Sequence, residues 1–138
     1  MNPISGIVTS GFGGRINPVT SQFELHNGMD IAAPIDTPVL AVSNGTIREI
    51  GSSALNGRYI WLDTDDGHTV IYAHLNKIQV TKSQRVERGE VVGLSGNTGR
   101  SSGPHLHYGV YKDDEALDPA GFVQIRYASE IPAYVLAD

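Results

Sequence analysis

Five histidines and one aspartate carry most of the chemistry open to this 138-residue chain. His26 stands four residues before Asp30 in Leu25-His26-Asn27-Gly28-Met29-Asp30. Positions i and i+4 share a face in a helix and also in a strand. An imidazole and a carboxylate on one face suit zinc, which takes nitrogen and oxygen donors tetrahedrally. The plainer reading is a surface His–Asp hydrogen bond. In Gly103-Pro104-His105-Leu106-His107-Tyr108, strand alternation puts His105 and His107 on one face and Leu106 and Tyr108 on the other. Both imidazoles could bind a metal, or one could bind it while the other faces a substrate. Two half-exposed histidines on an edge strand are the bland alternative. His74 ends residues 69–74, where alternation places Val70, Tyr72 and His74 together. A lone strand histidine is usually structural. His68 follows the Asp66-Gly67 turn and reads as a solvated residue at a hairpin tip. Hydrolysis at zinc needs three protein ligands and an open position for water. It also needs groups that manage protons and stabilise an oxyanion. His26, Asp30, His74, His105 and His107 are enough for both tasks.

The elements that must position these residues read as strands. Turn signals recur at Asn44-Gly45, Asn56-Gly57, Asp66-Gly67, Arg88-Gly89 and Ser95-Gly96-Asn97. Residues 59–64 and 69–75 alternate partly, and Asp65-Asp66-Gly67 between them predicts a hairpin turn. Residues 39–42, 45–50, 90–94 and 105–111 are further strand candidates. No window predicts a long amphipathic helix. Asp118-Pro119 predicts one short helix, with Asp as N-cap and Pro in the first position. The expected fold is all-β and mainly antiparallel, with a groove over the sheet. Residues 37–47 and 86–93 each place a β-rich stretch beside a glycine turn. That duplication is the pattern of barrel-sandwich hybrids such as biotinyl and lipoyl carriers. One domain is expected over 1–138, with its core at about 6–122 and a C-terminal extension at 123–138.

Composition excludes several classes. A net charge of −5 argues against nucleic acid, which demands clustered Lys and Arg. With no cysteine, disulfides, thiolate metal sites and Cys nucleophiles are out. No window reaches the length of a membrane span. Met1-Asn2-Pro3-Ile4-Ser5 lacks the basic and apolar regions of a signal peptide. Either a leader and any preceding domain lie outside this sequence, or export takes another route. Gly96-Asn97-Thr98-Gly99-Arg100 lacks the lysine and following helix of a phosphate loop, and is expected to shape one wall of the groove. Asp63, Asp65 and Asp66 could suit calcium, but read better as a solvated hairpin tip.

In order along the chain, these motifs resemble the lysostaphin-type peptidoglycan metalloendopeptidases. The resemblance runs from Gly6 through Pro119. It opens with Thr9-Ser10-Gly11-Phe12-Gly13-Gly14-Arg15 and Asn17-Pro18, and continues with His26-Asn27-Gly28-Met29-Asp30-Ile31-Ala32-Ala33-Pro34. Tyr72-Ala73-His74-Leu75 follows, then Gly93 and Gly96-Asn97-Thr98-Gly99-Arg100-Ser101-Ser102-Gly103-Pro104-His105-Leu106-His107. The resemblance implies one zinc ion per chain, ligated by His26, Asp30 and His107. His74 and His105 would be the catalytic, non-ligand pair. It implies hydrolysis of stem-peptide cross-links or bridges in peptidoglycan, outside the cytoplasm or from a phage virion. The chain could be part of a larger protein or of such a particle. It departs from the family at Gly109, where many relatives carry an acidic residue; this bears on a supporting contact, not on the ligand set.

Two rival classes are weighed against this expectation. A non-catalytic envelope or phage-tail domain of the same fold typically loses zinc ligands, and this chain keeps them. A carrier needs a lysine at a hairpin tip beside methionine, and none is present. A phosphotransfer protein would use facing histidines without metal. No H-E-x-x-H motif is present, so a glutamate base is not implied.

Overall fold

The computed structural model describes residues 1–16, 20–125 and 127, and of Arg15 and Glu24 the backbone alone. The strands are β1 (Ile7–Ser10), β2 (Gly13–Ile16), β3 (Phe23–His26), β4 (Met29–Ala32), β5 (Pro38–Leu40) and β6 (Gly45–Ser53). They continue as β7 (Gly57–Thr64), β8 (Thr69–Ile78), β9 (Arg85–Val86), β10 (Val91–Ser95), β11 (His105–Lys112) and β12 (Glu115–Leu117). The main sheet runs β1-β4-β11-β8-β7-β6-β9, with β10 joining β8 to β5 and β12 flanking β11. β2 and β3 form a separate hairpin. The strand pairs are antiparallel. No described residue is in an α-helix.

The centre of the sheet follows from local chemistry. Gly67 takes φ +93°, which a side chain disfavours, and so closes the β7–β8 hairpin at Asp65-Asp66-Gly67. Thr64 N–H donates to His68 O at 2.8 Å across that turn. Ile60 and Leu62 of β7, and Leu106, Tyr108 and Val110 of β11, alternate into one core. Tyr72 and Tyr108 meet there with ring centroids 5.8 Å apart. The Tyr72 hydroxyl, fully buried, accepts the Val42 N–H at 3.1 Å, as a buried polar group must find a partner. The other face of β11 carries His105 and His107.

The expected central strands all appear. The two half-patterns come together, because β5 pairs with β10 and β6 with β9. Asp118 caps a 3-10 helix, Pro119–Phe122, by accepting the Ala120 N–H at 2.9 Å. Strands β1 to β4 are additional to the expectation; each is only four residues long, and the clearest alternation among them, Phe23-Glu24-Leu25-His26, leaves Phe23 and Leu25 exposed. They also correct the geometry expected of His26 and Asp30. The two residues do not share one helix or strand: His26 ends β3, Asp30 lies in β4, and the pair spans two sheets. Most of the extension at 123–138 falls outside the described residues; within it, Tyr127 forms a parallel bridge to Val8.

Candidate metal centre

Strands β4 and β11 set the first two donors opposite each other, with His107 in register with Asp30. His107 Nδ1 lies 3.0 Å from Asp30 Oδ1. The third donor arrives from the β2–β3 hairpin: His26 Nε2 is 3.2 Å from His107 Nδ1 and 3.3 Å from Asp30 Oδ1. The turn that brings it there needs Gly28, since a Cβ at that position would stand 2.4 Å from Tyr108 O and 3.0 Å from the His107 ring. A tetrahedral zinc with bonds of about 2.0–2.1 Å has ligand–ligand edges of roughly 3.3 Å. The triangle of nitrogen, nitrogen and oxygen therefore matches one face of that tetrahedron. His26 Nδ1–H donates to Gly11 O at 2.8 Å, which leaves the lone pair of the neutral ring on Nε2. Metal-binding histidines are typically oriented by such a bond from the far nitrogen. Burial alone would raise the Asp30 carboxyl; without metal, and with the facing rings protonated, hydrogen bonds and charge from His107 and His26 together hold it far below the carboxylate range. The residues present thus fit a zinc ion.

Two further histidines flank the triangle. His105 Nε2 stands 3.6 Å from Asp30 Oδ1. Its Nδ1–H donates to Gly103 O at 2.8 Å, with the Ser101 hydroxyl 3.1 Å away. The His74 ring lies 4.8 Å from that of His105 and 6.2 Å from that of His107. Plain alternation put His74 on the face of Val70 and Tyr72, and the structure overturns this. Tyr72 pairs with Ile60 and Leu75 with Arg58, so Ala73 and His74 together oppose Tyr59 alone. This is a β-bulge. It sends Leu75 back into the core and His74 out to the groove. His74 takes φ +63° to do so, a backbone state costing about 1–3 kcal/mol for a residue other than glycine. Burial, outweighing the bond to Thr98 O, pushes the His74 imidazole down to about 4.

All five residues line an open groove of about 580 Å³. Ser101, Ser102, Gly103 and Pro104 also line it, and with Arg100 they continue the glycine-rich segment expected to form a wall. Leu25 and Leu55 contribute exposed apolar side chains to the same groove. His68 lies elsewhere. The expectation that it is solvated is corrected: its side chain is only 20% exposed, bonded to Asp66 Oδ1 at 3.1 Å and packed against Phe122. The acidic run is paired, Asp63 with Arg48 and Asp65 with Arg85. Gly109 stands opposite Ile71, whose Cγ2 would be 2.8 Å from an added Cβ, and the donor triangle is intact without a side chain there. The reading of side chains missed the carbonyls of Gly11, Thr98 and Gly103, because a backbone acceptor leaves no residue signature. The signal present was glycine at or next to each acceptor: Gly11, Gly99 after Thr98, and Gly103.

An antiparallel sheet that presents converging His, Asp and His donors in an open groove defines a candidate metal-binding domain. The chain belongs to peptidase family M23, which it matches over residues 24–119. It is 45% identical over 123 residues to the peptidoglycan DD-endopeptidase ShyA of Vibrio cholerae, covering 89% of this chain and 28% of that protein. The lysostaphin catalytic domain of Staphylococcus simulans superimposes with a TM-score of 0.77 at 35% identity, covering 85% of this chain and 91% of that one. A zinc-containing peptidase from Vibrio cholerae gives 0.72 at 31% identity, covering 90% of this chain and 41% of that one. The chain spans less than a third of the length of the curated relatives it matches.

Proposed function

We propose that this chain is a zinc endopeptidase domain that hydrolyses peptide cross-links or bridges of peptidoglycan, and so acts outside the cytoplasm. One zinc ion per chain would be held by His26 Nε2, the Asp30 carboxylate and His107 Nδ1. The observation that carries this reading is the three-atom triangle with edges of 3.0, 3.2 and 3.3 Å. Bound there, zinc supplies Lewis-acid polarisation of a carbonyl and lowers the pKa of a coordinated water toward about 7.

The remaining chemistry falls to the chain's own side chains. His105, with Nδ1–H given to Gly103 O, holds its lone pair on Nε2 beside the triangle. It is therefore the general base, taking a proton from the attacking water and returning it to the leaving amine. His74, neutral and with Nδ1–H given to Thr98 O, accepts at Nε2 and orients the water. Protonated, it would instead donate to the tetrahedral oxyanion. Asp30, held ionised, balances the metal's charge. The groove binds the peptide between the hairpin bearing Leu25 and the turn bearing Leu55.

The test pairs zinc content with release of soluble peptide from purified peptidoglycan. One zinc per chain and peptide release are expected. A protein that holds zinc yet cleaves no peptidoglycan from any source would favour the non-catalytic domain instead. Zinc retained at full stoichiometry in His26→Ala, Asp30→Ala and His107→Ala would remove the ligand set.

A further inference from the structure

The bulge that delivers His74 to the groove is held from outside its own hairpin. Thr98, on the loop between β10 and β11, contacts both sides of the bulge. Its carbonyl accepts the His74 Nδ1–H at 2.6 Å. Its hydroxyl donates to Leu75 O at 2.7 Å and the same oxygen accepts the Arg58 N–H at 3.1 Å. Arg58 and Leu75 are the pair at which the β7–β8 ladder resumes. The hydroxyl thus bridges the backbone donor of one strand and the backbone acceptor of the other. His74 N–H completes the arrangement by donating to Asn56 O at 2.8 Å.

The loop can approach this closely because both sides of the contact are glycine, Gly57 on the hairpin and Gly99 on the loop. A Cβ at Gly57 would lie 2.3 Å from Thr98 Oγ1. A Cβ at Gly99 would lie 2.2 Å from Gly57 N. Both take positive φ, +61° and +76°. Arg100 N–H adds a tie to Leu55 O at 3.1 Å. Of these contacts Thr98 O alone reaches the imidazole, and the rest hold the backbone on either side of it. Here they fix the ring's tautomer, its backbone conformation and the strand parity that selects its face.

We propose that Thr98 is the positioning residue for His74: its carbonyl fixes the Nδ1–H tautomer, and its hydroxyl holds the bulge that turns the ring into the groove. The proposal rests on the catalytic reading of His74, but its first test does not. In the metal-free wild-type protein, ¹⁵N-resolved histidine spectra should show His74 as the Nδ1–H tautomer. An Nε2–H tautomer there overturns the proposal without any variant. Thr98→Val removes the hydroxyl at nearly constant volume. It should leave zinc content unchanged, mix the two His74 tautomers and lower kcat for peptide release by up to about 10²-fold, the lower end of what a positioned acid–base group contributes, with little change in KM. Thr98→Ser keeps the hydroxyl and should restore both the spectrum and most of the rate. A Thr98→Val protein with the wild-type His74 spectrum and rate overturns the proposal. If Thr98→Val does not fold, Gly57→Ala, whose methyl displaces Thr98, should produce the same mixed spectrum; an unchanged one overturns the proposal. Full activity in His74→Ala would remove the catalytic reading, while the tautomer measurements would still decide whether Thr98 sets the ring.

Discussion

Two histidine–aspartate pairs of nearly equal length stand in different parts of this molecule. His107 and Asp30 are 3.0 Å apart in the groove; His68 and Asp66 are 3.1 Å apart at the β7–β8 turn. By residue type and distance they are the same interaction. They differ in what else converges on them. The Asp30 side chain is 12% exposed and faces His26 and His105 as well, whereas that of Asp66 is 65% exposed and shares its carboxylate with the Thr64 hydroxyl. A cation is chelated by converging donors shielded from water, not by a pair. The groove pair is one edge of the proposed metal site. The turn pair closes a hairpin.

The sharpest way to break the contrast is to remove one member of each pair. Asp30→Ala should abolish zinc binding and peptide release, while Asp66→Ala should change neither; elemental analysis and a peptidoglycan digest read both. The next largest effect separates chemistry from binding within the groove. His105→Ala and His74→Ala should retain zinc and fold, yet lose roughly 10² to 10⁴ in rate, the usual contribution of a positioned acid–base group. Loss of zinc in either variant would make that histidine a ligand.

A pH titration sharpens the contrast further. In the metal-free chain the buried His74 ring should stay neutral until about pH 4, below its ordinary value of 6.5. Between those values the unfolded chain binds a proton that the folded chain does not. The His74 contribution to stability is therefore complete above about pH 6.5 and declines as the pH falls toward 4. Histidine NMR and unfolding midpoints across that window measure it; protonation of His74 near its ordinary value would contradict the burial argument. The smallest effect belongs to the turn. His68→Ala should cost at most about 1 kcal/mol in chemical denaturation and leave zinc and turnover as in the wild type.

Much of the site was legible from residue order. The H-x-H strand worked because alternation is a local rule: His105 and His107 face the groove while Leu106 and Tyr108 enter the core. The Asp-Gly turn and the Asp-Pro helix start were equally local, since each depends on the conformational limits of the residues that form it. The short strands β1 to β4 were not legible, because four residues are too short a window to establish a period: Phe23-Glu24-Leu25-His26 alternates, yet Phe23 and Leu25 are exposed.

The sequence by itself determined which groups are available to bind metal and move protons, and which strand faces the unbulged segments present. The tertiary structure decided how those groups meet. His26 reaches Asp30 from a second sheet rather than along one strand, through a turn that packs against Tyr108. His74 faces the groove only because one extra residue in β8 reverses the alternation, and that bulge is held by Thr98 and Asn56 from distant positions in the chain. Alternation sets a side chain's face only while the ladder is regular. Where a bulge breaks it, the face is set by hydrogen bonds from segments that the chain brings together on folding.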